Sequence, residues 1–361
     1  MNSDVWQSLL HLESRDIVSD WFERIHGRKL NARRAKEIIA SARQGREYFR
    51  SASTASFAVR PLLAFYGVAS LCRSLTLLHR RDSGEEGLRQ GHGLEAIAWS
   101  ATLSSDLPVA LASISKLRVR TCGGLFSDLV AATHKRTMLR VYDRTIPVPF
   151  DNEEQRLGRE TSLSDILDRL PDISTDVSAE RPRRWIRLKN FVYSPDSGAT
   201  ITVHGTPDHP VCIEYAGAGF ELSPEEDPYD ASAERTVLKI DETGVKKYFP
   251  QVLDTRVIRT MGGNPSPHLV SRFSPDAWFS QLSITYMVSF ILGMLARYFP
   301  THWGALMGGE KGDAIWPNIN AAQTYVEAAL PELVLEVIAD SLFAPRLEVA
   351  DGSLSNASGD A

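Results

Sequence analysis

Cysteine is scarce: Cys72, Cys122 and Cys212 are the only three in 361 residues, far apart and odd in number. That excludes a disulfide framework and reads as reduced thiols in a cytoplasmic protein. No Cys-x-x-Cys, His-Glu-x-x-His or EF-hand spacing occurs, so neither a metal nor another cofactor is expected. The most apolar stretch, residues 284–296, falls well short of the roughly twenty residues that span a bilayer, so it predicts a buried core helix and no membrane partner. The first sixteen residues lack the basic flank and apolar core of a secretory signal. An excess of positive charge is missing too: the formal net charge is −5, which argues against a globally basic nucleic-acid binder. There is no Gly-x-Ser-x-Gly elbow for a serine hydrolase. Gly308-Gly309-Glu310-Lys311-Gly312-Asp313 fails as a phosphate loop because Lys311 is followed by glycine, and Gly217-Ala218-Gly219 lacks the third glycine of a dinucleotide turn.

What is present is the composition of a soluble globular chain, 43% hydrophobic and 24% charged, with enough length for one large or two ordinary domains. From Asn31, small and apolar residues recur at three- and four-residue steps (Ala32, Ala35, Ile38, Ile39, Ala42, Gly45, Phe49, Ala52), which predicts an amphipathic helix. Pro61 then suits the first turn of a second helix through Leu75, and the two are expected to pack as an antiparallel hairpin. Turn compositions mark a loop over residues 80–93; a short helix is expected at 94–99, a strand at 114–121, and a helix opened by Gly123-Gly124-Leu125-Phe126. Ser162 and Asp165 are placed to cap a helix over 162–170. Short β-like runs follow at 185–193, 199–204, 211–215 and 236–240, predicting a small antiparallel sheet. Ser274-Pro275 reads as the start of an apolar helix, and a last helix over 319–338 contains Pro331, which predicts a kink or a split. The fold class expected is mainly α with a β-rich insertion (α+β), the N-terminal hairpin packing with C-terminal helices. The divisions are an N-terminal helical region (1–146), a polar connector (147–180), the β-rich insertion (181–273), C-terminal helices (274–345) and a disordered tail (346–361).

Gly45-Arg46-Glu47-Tyr48-Phe49-Arg50-Ser51-Ala52 and Arg60-Pro61-Leu62-Leu63-Ala64-Phe65-Tyr66-Gly67 carry a family pattern. With His92-Gly93, Gly124-Leu125-Phe126, Met294, Arg297-Tyr298, Thr301, Trp303 and Asn320, the chain resembles the bacterial YaaC-like family. The resemblance is strongest over residues 31–95, thin in the middle, and returns over 276–340. It implies a mostly helical cytoplasmic protein with a β insertion, and it brings no defined reaction with it.

Among chemical candidates, Arg297 and His302 have the Arg-x(4–6)-His spacing of metal-independent HEPN-type ribonucleases. There the His acts on the 2′-hydroxyl or leaving group and the Arg steadies the phosphorane. Arg73 and His79 meet the same spacing, so the competing reading is a helix-end Arg with a turn His against backbone carbonyls. His92 lies between Gly91 and Gly93, where backbone can approach a ligand. His204 and His209 near Cys212 are too few for a metal set and read as structural. Arg28, Lys29, Arg33, Arg34 and Lys36 form one basic cluster, and Arg181, Arg183, Arg184, Arg187 and Lys189 around Trp185 form another. These suit a phosphate-tracking face with Trp185 or Phe191 to stack a base, or else solvated helix and edge-strand charges. Arg46 or Arg60 with Glu47 reads as a clamp across the hairpin, or as an anion pocket at the start of the second helix. Two functions are carried forward. One is a binding or interaction module with a protein or small-molecule partner, using His92, Arg46, Arg60, Arg184, Trp185 and Arg187. The alternative is a HEPN-like endoribonuclease of a stress or phage-defence response, acting on RNA through Arg297 and His302 and favoured by a homodimer.

Overall fold

Helix-forming periodicity and capping chemistry set the N-terminal half of the chain. In the computed structural model, which describes residues 3–133, 138–141, 144–147, 157–173, 183–194, 196–225, 234–244, 257–259, 265–273 and 279–343, it opens with α1 (Ser3–Leu9), α2 (Arg15–His26), α3 (Ala32–Thr54) and α4 (Arg60–His79). Asn31 caps α3 by accepting from the Arg34 amide at 2.9 Å, and Pro61 stands in the first turn of α4. The α3–α4 hairpin closes through two small residues. A Cβ on Gly45 would lie 2.7 Å from Leu71, and one on Gly67 would lie 2.7 Å from Phe49, so each helix offers the other a notch for a bulky side chain. Carbonyls in the last turn of α4 and just past its end are satisfied by side chains from its neighbours. Buried Arg34 donates to the Arg80 and Arg81 carbonyls at 2.5 and 2.8 Å, and a His26 ring nitrogen meets the Leu78 carbonyl at 2.9 Å.

After the 80–90 loop come β1 (His92–Ile97), α5 (Trp99–Leu103), α6 (Leu107–Ala112), β2 (Arg118–Gly124), α7 (Leu125–Thr133), β3 (Met138–Val141), β4 (Arg144–Pro147), β5 (Glu160–Ser162) and α8 (Leu163–Leu167). β1, β2 and β5 form a three-stranded antiparallel sheet. The short helix expected at 94–99 is therefore a strand, because Leu94 to Ile97 pair with β2 and the helix begins only at Trp99. The strand expected from residue 114 starts at Arg118, after a 3-10 turn over Ile114–Lys116. Ser162 and Asp165 do form a capping box. Residues 163–173 of the expected connector bury Leu163, Ile166, Leu167, Leu170 and Ile173 in the main core.

The β-rich part has its own core. β6 (Trp185–Ser194), β7 (Gly198–His204), β8 (Glu221–Glu225), β9 (Arg235–Ile240), β10 (Val257–Arg259) and β11 (Pro265–Val270) form a six-stranded antiparallel sheet in the order β10-β11-β6-β7-β9-β8. One face carries Ile186, Leu188, Ile201, Val203 and Leu238 against α9 (Pro210–Gly217), which contributes Val211, Cys212 and Tyr215. Residues 211–215, expected as a strand, are helical because His209 caps the Val211 amide through Nδ1 at 3.2 Å and Pro210 holds the first-turn φ.

The chain then returns to the first core through α10 (Gln281–Tyr298), α11 (Pro300–Gly308) and α12 (Trp316–Phe343). Ser280 caps α10; the Ser274-Pro275 start lies outside the described residues, as does the 346–361 tail. Pro331 does not divide the last helix, which runs unbroken from Trp316 to Phe343. Among the described residues α4 alone is long and apolar enough to cross a bilayer, while α10 and α11 meet that test together only across a 102° bend. α4 and α10 are the centre of the core, which joins the N-terminal hairpin to the C-terminal helices. The fold is mainly α with a β-rich part between.

A candidate binding surface where α3, α4, α10 and β1 meet

Two helical turns separate Tyr66 from Arg73, so both stand on one face of α4 with Ser70 between them. On α3, Gln44 and Tyr48 are one turn apart and face the same way. Ser70 Oγ donates to Gln44 Oε1 at 3.3 Å, and the Tyr48 and Tyr66 rings pack at 5.5 Å between centroids. Arg297, in the last turn of α10, donates from Nη1 to Tyr66 Oη at 3.0 Å, and its guanidinium carbon lies 4.9 Å from the Tyr298 ring centre. Arg73 and Arg297 are exposed, and among the described residues neither has a carboxylate within ion-pairing distance. Several other arginines are ion-paired: Arg33 with Glu37 and Glu86, Arg46 with Glu13, Arg60 with Glu327, and Arg120 with Glu95 and Glu160.

His92 opens β1 at a β-bulge, where the register with β2 shifts between His92 and Leu94. The bulge needs Gly93: its φ is +78°, and a Cβ there would meet the Phe126 amide nitrogen at 2.6 Å. Tyr286 of α10 donates its hydroxyl to the His92 carbonyl at 3.0 Å, while the imidazole packs edge-on against Phe65 at 4.9 Å and tilts onto Phe290 at 6.0 Å. Backbone and ring are thus fixed by three elements. Burial lowers the His92 pKa from its usual value, and the positive charges of Arg297 and then Arg73 lower it further. The imidazole is therefore neutral at pH 7, in the field of two guanidinium groups.

The other sequence candidates are dispersed. His302, in the first turn of α11, places Nε2 3.1 Å from the Leu103 carbonyl and its ring 5.9 Å from Phe299, whereas Arg297 turns to Tyr66. Arg46 binds Glu13 at 2.6 Å and Glu47 at 3.3 Å. Arg60 does not meet Glu47; it makes a two-pronged contact with Glu327 of α12 at 2.6 and 2.5 Å, because the start of α4 faces the C-terminal helix. Arg184 accepts from the Ser271 amide through its carbonyl, and Arg187 is exposed on β6. Trp185 packs 4.9 Å from His268, with Arg183 5.0 Å from its ring centre. Burial lowers the pKa of both His204 and His209. In the first basic cluster Arg28 meets Asp82 at 3.1 Å and Arg34 is buried, and Arg181 lies outside the described residues. Among the described residues no three His, Cys, Asp or Glu side chains are grouped to hold a metal.

Sequence reading missed Tyr48, Tyr66 and Arg73 as site residues. A usable signal was there: within the apolar run of α4 after Arg60, Arg73 is the only Lys, Arg, Asp or Glu, and a lone charge in a core helix marks its one wet face. Tyr48, Tyr66, His92 and Arg297 all belong to the segments that suggested a family, and the fold brings those segments together. A family model described as YaaC-like Protein matches residues 10–338. No curated protein matches the chain, and no solved structure does.

Proposed function

Since the chain belongs to the YaaC-like family, we propose that it is a cytoplasmic binding module whose partner seats where α3, α4, α10 and β1 meet. One observation carries this reading: Tyr66, Arg297 and His92, drawn from three separated segments, converge on one surface with two arginines left unneutralised. Both arginines are exposed, so their guanidinium donors stay open to a partner. Rigid aromatic groups beside exposed donors are the ordinary make-up of a recognition surface.

The test equilibrates purified protein with a cell extract and identifies retained molecules by native mass spectrometry. Wild type should retain a ligand that Arg297→Ala and His92→Ala lose while keeping their circular dichroism and melting behaviour. A ligand retained equally by all three would overturn the location, and none retained by well-folded wild type would overturn the reading. The same preparations are assayed on RNA with and without chelator. Chelator-resistant cleavage lost in His302→Ala would put the HEPN-like endoribonuclease reading in its place.

A further inference from the structure

We infer that the surface between α4, α10 and β1 is a phosphate site, in which Arg73 and Arg297 hold the oxygens of a small phosphorylated ligand beside the Tyr48–Tyr66 pair. This deepens the binding reading and rests on it. The argument starts from charge. Tyr66 and Arg73 share one face of α4 and Arg297 of α10 is hydrogen-bonded to Tyr66, and the charges of Arg297 and then Arg73, both positive, act on His92, whose carbonyl accepts from the buried Tyr286 phenol. Two exposed guanidinium groups near a neutral imidazole have their electrostatic complement in an anion.

Valence narrows the anion. A guanidinium has five N–H donors and Tyr66 occupies one on Arg297, so both arginines retain enough donors for two-pronged contacts. One guanidinium satisfies a carboxylate, whereas a phosphate monoester carries close to two charges and three terminal oxygens, which matches two arginines and an imidazole that donates one more hydrogen bond. Tyr66 is the hinge between the two halves of the site: its hydroxyl fixes Arg297 and its ring packs on Tyr48, so an organic group attached to the phosphate meets aromatic surface one side chain away. Phosphate alone and a nucleoside monophosphate share this chemistry and differ in their use of Tyr48.

Calorimetric titration with inorganic phosphate and with AMP, at low ionic strength matched with chloride, tests the site; acetate serves as the carboxylate control. Phosphate and AMP should both bind wild type, and Arg73→Gln or Arg297→Gln should weaken each by about tenfold or more. Arg50→Gln, on an exposed part of α3, should bind as wild type does. AMP tighter than phosphate, with the excess lost in Tyr48→Ala, identifies a nucleotide; equal affinities identify phosphate itself. Circular dichroism and melting in chloride establish that the variants are folded, and His92→Gln gives a second route if an arginine variant is not. Acetate binding as well as phosphate, or arginine variants binding like wild type, would overturn the inference. Inert phosphate and AMP alongside an unphosphorylated ligand retained from extract would sink it and leave the binding reading standing; no ligand of either kind would sink both.

Discussion

His92 is neutral in the fold because burial and two nearby arginines oppose its proton, and His26 is shifted in the same direction, by burial first. Each has a folded pKa below the unfolded value of about 6.5, so in the interval between the two values the unfolded chain binds more protons. Stability should therefore be full above pH about 6.5, fall as pH drops through that interval, and level off below the folded pKa. Melting temperatures followed from neutral to acid pH check this: His92→Gln and His26→Gln should each flatten the acid slope, and a slope unchanged in both would mean that neither ring is held neutral. Tyr66→Phe tests a different single-residue effect. It removes only the acceptor for Arg297 at an exposed position, so stability should move by no more than about 0.5 kcal/mol, while ligand affinity drops because the guanidinium is no longer held.

Between elements, geometry limits what the α3–α4 pair tolerates. Leu71 and Phe49 fill the spaces that Gly45 and Gly67 leave, so Gly45→Val or Gly67→Val should cost about 1–3 kcal/mol by overpacking, read as a lowered urea midpoint. Arg60 and Glu327 join the start of α4 to α12 across 267 residues of sequence, with both side chains largely buried. Removing either partner leaves a charge short of hydrogen bonds, and a double-mutant cycle with Arg60→Ala and Glu327→Ala should give a coupling of about 1–3 kcal/mol. A coupling near zero would reduce the pair to a solvated contact.

For the whole molecule the question is how two cores move together. Arg169, 5% exposed and just beyond α8, donates to the Ser271 and Arg272 carbonyls at 2.9 and 2.6 Å, and its guanidinium lies 4.2 Å from the Phe273 ring centre. Burial lowers its pKa to about 10, which leaves it charged at neutral pH. It fastens the chain that leaves β11 to the helical core. Arg169→Met should leave those carbonyls without their donor and cost about 1–3 kcal/mol. Hydrogen exchange should then show β6 and β11 opening before α4 and α10; uniform exchange across both units would show that the bond is not what couples them.

The sequence by itself determined the elements whose signals are local. The α3 periodicity, Pro61 in the first turn, the Ser162–Asp165 box and the β-like runs at 185–193 and 236–240 each depend on neighbours within a few residues, and all stand in the structure. Residues 94–97 and 211–215 were misread because short apolar runs do not distinguish helix from strand. Pairing with β2 decided the first, and the His209 cap with Pro210 decided the second. His92 and Arg297 could be singled out as residue types, but their common surface could not, since 205 positions separate them and packing of Phe65, Phe290 and Tyr286 closes the distance. The same packing gave Arg60 its carboxylate and left Arg73 and Arg297 without one. Composition counts charges, but only tertiary structure assigns their partners, because an ion pair is fixed by distance in space, which spacing along the chain does not record.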